Sequence, residues 1–530
     1  MWKRFAVLAL AFGIAFSCLY MRVFNLSEQE GYKQAGVKQG SYTINVSKTY
    51  GNIYDCNLRL LNNNTKKILA VIDPSAENVR DIQPYLIDKD AFYKQVDNGL
   101  PFVCEVNTLD IPNKNILTFE TTVRTTESQL APHIVGYSSD NKGVSGIEGS
   151  FNDFLRNNVS STSVTYSIDG LGKTLDGVNK VINLSPAMKA GVITTIDSDI
   201  QHICEEASKK IEKGAIIVME PSTGRIKAVV SAPTFTPLNV AESLNDKNSP
   251  LINRAFSAYN VGSIFKLVTA ATALEQGISP DLKYECNGKI DVDGQIFKCH
   301  KLSGHGVLDM QGAMVNSCNT YFINLSEQIS SENFISKASI LGFGRSTVLA
   351  PDIISAKGKL QTVSDLYNPA EKANLAFGQG MLMATPLQIA TMTSAIVNGG
   401  KMPKPQLVIG TTKDCVSVDT LGFENLFTDA IDPSVAHTLR KFMVETVNNN
   451  VTSDARPYNT TAGGKTSTAQ TGQYNTDGSE ILQAWFTGYF PTDKPKYVVT
   501  VLAENGKSGN TAAGPIFKEI AEEITKMETK

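Results

Sequence analysis

Ser263 and Lys266 stand three residues apart at the head of the apolar run Val261-Gly262-Ser263-Ile264-Phe265-Lys266-Leu267-Val268-Thr269-Ala270-Ala271-Thr272-Ala273-Leu274-Glu275. Gly262-Ser263 reads as a helix start, the apolar residues recur at helical spacing, and Gly277 is the C-cap signal. Residues i and i+3 share a helix face, so hydroxyl and amine leave the first turn on the same side. This is the arrangement of a nucleophile beside its proton acceptor, at a helix end that favours developing negative charge. A second Ser-x-x-Lys, Ser139-Asp140-Asn141-Lys142, lies in a polar turn segment with no apolar helix behind it. It reads as a surface serine and lysine.

Two further patterns follow in order. Ser317-Cys318-Asn319 lies 54 residues past Ser263, and Lys465-Thr466-Ser467-Thr468 lies 148 residues past Ser317, preceded by Ala462-Gly463-Gly464. Each is weak alone, since Ser331-Glu332-Asn333 repeats the first and Lys-Thr recurs at Lys48 and Lys173. Their order and combination carry the weight.

The elements that must position them are legible in outline. Val192–Ile196 is a strand, Asp197 starts a helix running to Ile211, and Ala215–Met219 is a buried strand. Pro221-Ser222-Thr223-Gly224 turns it into a hairpin partner, Ile226–Val230. Helices are expected at Gly312–Ser330, Pro386–Asn398 and Pro515–Lys526, and strands at Trp485–Phe490 and Tyr497–Ala503. Strands at both ends with helices between them imply an α/β (α+β) domain whose sheet joins distant parts of the chain. From Asn25 to about Lys189 the chain is polar and only intermittently strand-like, as at Tyr42–Val46 and Lys67–Ile72, with a helix-like segment at Ile147–Leu155. It reads as an irregular β-rich module.

At 530 residues the chain exceeds one ordinary core. We divide it into an anchor (1–24), a pedestal (25–190) and a catalytic domain (191–530). The net charge of −3 carries no polyelectrolyte signature, which argues against a nucleic-acid partner. Lys3-Arg4 precede an apolar run from Phe5 to Met21, so a single membrane span with a cytoplasmic N-terminus and an extracytoplasmic bulk is expected. The alternative is a signal peptide cleaved after Ala15-Phe16-Ser17. The five histidines (His133, His202, His300, His305, His437) and the eight cysteines follow no metal-ligand spacing, so no metal site and no serine–histidine triad are expected. Cys286 and Cys299 flank a hairpin-like stretch with Gly288, Asp293 and Gly294; they are a disulfide candidate, the alternative being two free thiols.

Ser-x-x-Lys, Ser-x-Asn and Lys-Thr-Gly together mark penicillin-binding proteins and class A β-lactamases. The chain resembles the class B penicillin-binding proteins, the monofunctional peptidoglycan D,D-transpeptidases. The likeness extends over Gly214–Ile226, Asn253-Arg254-Ala255, Phe377-Gly378-Gln379-Gly380, Ala384–Gln388 and Ala484–Tyr489. Gly51–Asn57 and Gly146-Ile147-Glu148 look like the family's pedestal motifs. There are three departures. Tyr50 replaces an arginine, Asn260-Val261 replaces a residue plus proline, and Ser467 replaces the glycine of Lys-Thr-Gly, where its side chain is expected to crowd the edge that substrate lies against.

The resemblance implies that Ser263 is acylated, with Lys266 as its base, made neutral by burial and by Lys465. Ser317 relays the proton and Asn319 orients Lys266 and the substrate. Lys465, with Thr466, Ser467 and Thr468, forms the substrate-binding edge, and the backbone N–H groups of Ser263 and Thr468 form the oxyanion hole. No cofactor is implied. The implied partners are peptidoglycan stem peptides, β-lactams, the membrane, a polytopic glycosyltransferase and other wall-synthesis proteins. The alternatives are a D,D-carboxypeptidase, a β-lactamase, for which no Glu-x-x-Leu-Asn stands between Ser317 and Lys465, and a silent β-lactam-binding scaffold.

Overall fold

A computed structural model of the chain describes residues 1–29, 40–169, 173–175, 180–422, 426–448 and 454–529. They form two compact units. One comprises Met1–Tyr50, Asn63–Arg124 and Val159–Met188; the other comprises Gly51–Asn62, Thr125–Asn158 and Lys189–Lys530. The stretch 25–190, read as a single module in the sequence, thus contributes to both.

In the first unit, helix α1 (Trp2–Glu28) is long and apolar enough to cross a membrane. Strands β1 (Ser41–Tyr50), β2 (Thr65–Ile72), β3 (Phe102–Val106), β4 (Leu117–Val123), β5 (Val159–Ser167) and β6 (Val181–Leu184) form two antiparallel sheets, ordered β1-β5-β6 and β3-β2-β4. Strand alternation makes β2 serve two cores. Leu69 and Val71 pack with Ile44, Val46, Val164 and Tyr166, while Ala70 and Ile72 pack with Ile82, Leu86, Phe92 and Phe102.

The second unit is organised by a five-stranded antiparallel sheet: β7 (Gly214–Met219), β8 (Ile226–Ala232), β9 (Gly463–Tyr474), β10 (Glu480–Phe490) and β11 (Tyr497–Glu504), in spatial order β8-β7-β11-β10-β9. Strand β7 is buried along its whole length because both sheet faces are covered. Ile216 and Val218 pack, with Phe486, Phe490 and Val501, against α2 (Ser198–Ser208) and the C-terminal helix Gly514–Glu528. Ala215, Ile217 and Met219 look to the opposite core, which contains α3 (Lys266–Glu275) and the fully buried α5 (Pro386–Val397). Gln388 at N3 of α5 closes a capping box with Thr385, and Pro386 fills its first turn.

The segment expected as one helix over Gly312–Ser330 is instead two. Met310–Val315 ends, the chain turns through Ser317, and α4 (Asn319–Glu327) begins. Ser317 has φ +48°, a left-handed backbone that no α-helix accommodates. The break falls on the Ser-x-Asn motif itself.

Candidate active site

The nucleophile turn is built before helix α3 begins. Gly262–Phe265 form a 3₁₀ turn that runs into α3 at Lys266, so Ser263 sits on the tighter turn and Lys266 on the first residue of the α-helix. Gly262 has φ +62° and donates its N–H to the Gly378 carbonyl at 2.9 Å. A side chain on Gly262 would run into Ser467 Oγ, and one on Gly378 into the Gly262 carbonyl. Both positions demand glycine. The turn is held elsewhere too: Trp485 Nε1 donates to Asn260 O at 2.9 Å, and Thr269 Oγ1 donates to Ala376 O at 2.8 Å. Asn260, the first of the Asn260-Val261 replacements, therefore serves the turn through its backbone carbonyl.

Lys266 is fully buried and its amine meets four oxygens. Nζ lies 3.0 Å from Ser263 Oγ, 2.7 Å from Ser317 O, 3.2 Å from Ser317 Oγ and 2.7 Å from Asn319 Oδ1. The turn at Ser317 brings its carbonyl and hydroxyl to the same amine, which accounts for a strained backbone at a serine. Burial, reinforced by the like charge of Lys465, holds the Lys266 amine well below its ordinary range. A neutral amine has two hydrogens and one lone pair. It can donate to Ser317 O and Asn319 Oδ1 and still accept the Ser263 proton. An ammonium has no such acceptor.

Lys465 comes from β9, which lies at the edge of the sheet next to β10. It is fully buried, its Nζ donates to Thr466 O at 3.1 Å, and burial pushes its amine down to about 7. Lys465, Ser467 and Ala469 face inward, whereas Thr466 is half-buried and Thr468 exposed on the other side. This alternation corrects the expectation for Ser467. Its side chain does not crowd the substrate edge: it is buried, and its hydroxyl donates to Val261 O at 2.8 Å. Thr468 Oγ1 accepts from Gly509 N at 3.1 Å.

The fold thus unites Ser263, Lys266, Ser317 and Asn319 through one amine, and joins the Lys465 strand to the Ser263 turn. Glu148, in the Gly146-Ile147-Glu148 motif, bonds Asn62 Nδ2 at 3.1 Å and Arg156 at 3.3 Å. Asp55 is buried and accepts from Arg59 and Ser198. Of the two alternatives for Cys286 and Cys299, a disulfide or two free thiols, the structure has free thiols, as it has for all eight cysteines. Sequence reasoning missed the roles of Gly378 and Trp485. The Phe377–Gly380 and Ala484–Tyr489 motifs marked them as related to a family without telling what they hold.

The penicillin binding protein transpeptidase domain model matches residues 214–522. Among curated proteins, the chain is 28% identical over 487 residues to stage V sporulation protein D of Bacillus subtilis, covering 86% of this chain and 72% of that protein. It is 28% identical over 414 residues to the peptidoglycan D,D-transpeptidase MrdA of Haemophilus influenzae, covering 71% of this chain and 62% of that one. Among solved structures, a chain of a peptidoglycan synthase complex shares 25% identity at a TM-score of 0.69, over 98% of this chain and 97% of that one. Penicillin-binding protein A of Mycobacterium tuberculosis, solved as a ceftriaxone acyl-enzyme, shares the fold at a TM-score of 0.64 and 24% identity, over 76% of this chain and 92% of that one.

Proposed function

The chain belongs to the penicillin-binding protein transpeptidase family, and we propose that it is a peptidoglycan D,D-transpeptidase working through an acyl-enzyme on Ser263. The observation that carries this reading is the set of bonds to the Lys266 amine, whose lone pair is left for the Ser263 hydroxyl.

Lys266 takes the proton as Ser263 Oγ attacks the carbonyl of the penultimate D-alanine of a stem peptide. The backbone N–H groups of Ser263 and Thr468 receive the oxyanion, each donor worth about 3–4 kcal/mol in such a hole. Ser317 passes the proton to the departing D-alanine nitrogen, and Asn319 holds the Lys266 amine and the substrate amide. Charged Lys465 draws the terminal carboxylate toward the Thr466 and Thr468 hydroxyls. An amine from a neighbouring stem peptide then displaces Ser263, closing the cross-link. A β-lactam enters by the same attack, but its leaving group stays tethered and the ester persists.

Helix α1 anchors the enzyme with Lys3-Arg4 on the cytoplasmic side. A membrane glycosyltransferase is the partner that supplies nascent strands; the likeness to a chain of a peptidoglycan synthase complex supports this.

The test is fluorescent penicillin added to the detergent-solubilised full chain, wild type against Ser263→Ala. Persistent label on wild type alone is expected. Label that forms and is rapidly lost would make the protein a β-lactamase, and no label on either would make it a scaffold.

A further inference from the structure

Cys286, Cys299, His305 and Cys318 bring three sulfurs and a ring nitrogen within 4.8 Å of one another. Cys299 Sγ lies 3.9 Å from Cys318 Sγ, and His305 Nδ1 lies 3.5 Å from Cys286 Sγ and 3.6 Å from Cys299 Sγ. Tetrahedral zinc, with bonds of about 2.3 Å to sulfur and about 2.0 Å to nitrogen, sets its ligands apart by about 3.8 Å (S to S) and about 3.6 Å (S to N). The spacing is that of ligands around a common centre.

Three separate devices deliver these groups. Tyr284–Cys286 pairs with Gly306–Leu308, which sets Cys286 opposite Gly306 and beside His305. The hairpin of Lys289–Val292 with Gln295–Lys298 ends at Cys299, whose N–H is fixed on Gly288 O at 2.9 Å. Cys318 comes from the turn between two helices. The three cysteines are buried and His305 is half-buried. Hydrogen-bond donors face the sulfurs from outside the cluster: Thr320 Oγ1 donates to Cys286 Sγ at 3.1 Å, backbone N–H groups of Lys301 and Asn319 face Cys299, and that of Tyr321 faces Cys318.

We propose that Cys286, Cys299, His305 and Cys318 form a closed tetrahedral site for a thiophilic divalent cation, zinc being the ion that three thiolates and an imidazole suit best. Four protein ligands leave no open position, so the ion is structural. Residues 284–308 form only strands of three or four residues, too little to organise themselves. The ion ties this excursion to Cys318, which stands between Ser317 and Asn319, the two residues bonded to Lys266. The four ligands are positioning residues for that turn. This part rests on the transpeptidase reading, whereas metal content is measured without reference to acylation, so the two fail separately.

The test is elemental analysis of the full chain, solubilised in detergent and purified under reducing conditions. About one zinc per chain is expected, with Cys286→Ser and His305→Ala each losing most of it, His305→Cys keeping it, and Cys104→Ser unaffected. Should Cys286→Ser fail to fold, Co²⁺ added to the reduced, chelator-stripped wild type decides, through the thiolate charge-transfer and tetrahedral visible bands of cobalt. Stripping should slow penicillin acylation about tenfold or more, added zinc should restore it, and zinc-loaded His305→Cys should acylate near the wild-type rate while His305→Ala does not. No zinc and no cobalt spectrum in wild type, full zinc in both ligand-deleting variants, or a disulfide among the three cysteines in a parallel preparation made without reductant would each overturn the site. Acylation indifferent to stripping would overturn the positioning role.

Discussion

The Ser467 hydroxyl donates to the Val261 carbonyl at 2.8 Å, across 206 residues of sequence. It fastens the inward face of β9, which carries Lys465, to the turn that carries Ser263. Glycine at this position would remove that fastening and loosen the strand. We expect Ser467→Gly to destabilise the protein by about 2 kcal/mol, from a lost buried hydrogen bond and added backbone freedom, as read from chemical denaturation. A side chain that obstructed substrate would behave oppositely, with faster penicillin acylation and unchanged stability.

The two buried lysines set the pH dependence. Only uncharged Lys266 accepts a proton and only charged Lys465 attracts a carboxylate. The acylation kcat/KM is therefore expected to rise as Lys266 loses its proton and to fall as Lys465 loses its own, near pH about 7 in the free enzyme. Lys465→Arg, which keeps its charge, should abolish the falling limb and leave the rising one.

The same burial has a signature in stability. Folding lowers the Lys465 pKa from 10.5 to about 7, so between those values the unfolded chain binds the extra proton and stability rises with pH. Below about pH 7 both states are protonated and the cost of burial is fully present. Lys465→Met should accordingly be more stable than wild type at neutral pH, with the gap in denaturation midpoint closing toward pH 10.

Asn319 Oδ1 accepts from Lys266 at 2.7 Å. A carboxylate there would favour the ammonium. Asn319→Asp is expected to move the rising limb of the acylation profile up by about one unit or more, with rate recovered at higher pH. A uniform loss at all pH values would contradict this electrostatic role.

Arg254, only 4% exposed, donates to Glu504 Oε1 at 2.8 Å, and Tyr259 OH reaches the same oxygen at 2.8 Å. Glu504→Gln leaves a buried cation without its charge partner, and a loss of about 3 kcal/mol or more in denaturation is expected. The double variant Arg254→Met with Glu504→Leu should cost less than Glu504→Gln alone.

What was legible in the sequence was whatever local pattern encodes. The strand Ala215–Met219 reads as an apolar run, the helix expected at Pro386–Asn398 is α5, and the three short motifs name the residues around Lys266. The break at Ser317 was not legible, because its backbone is imposed by a tertiary contact with the Lys266 amine rather than by local propensity. The side to which Ser467 points depends on where β9 meets the nucleophile turn. The cysteine–histidine cluster escaped because its ligands are 13, 6 and 13 residues apart and converge through strand pairing and a helix break. No short metal-binding motif has that form.

Strand β11, residues Tyr497–Glu504, lies between β7 and β10. The hairpin of β7 and β8 is complete at Ala232, yet the strand that pairs with its inner edge begins only at Tyr497. Until then the inner edge of β7 has no neighbour, which invites misassociation during folding and makes a holding factor useful. Lys465 rides on the hairpin of β9 and β10, which reaches β7 only through β11. A chain cut before β11 would carry Ser263, Lys266 and Lys465 and still leave the two halves of the sheet unjoined, so that acylating capacity waits on that one strand.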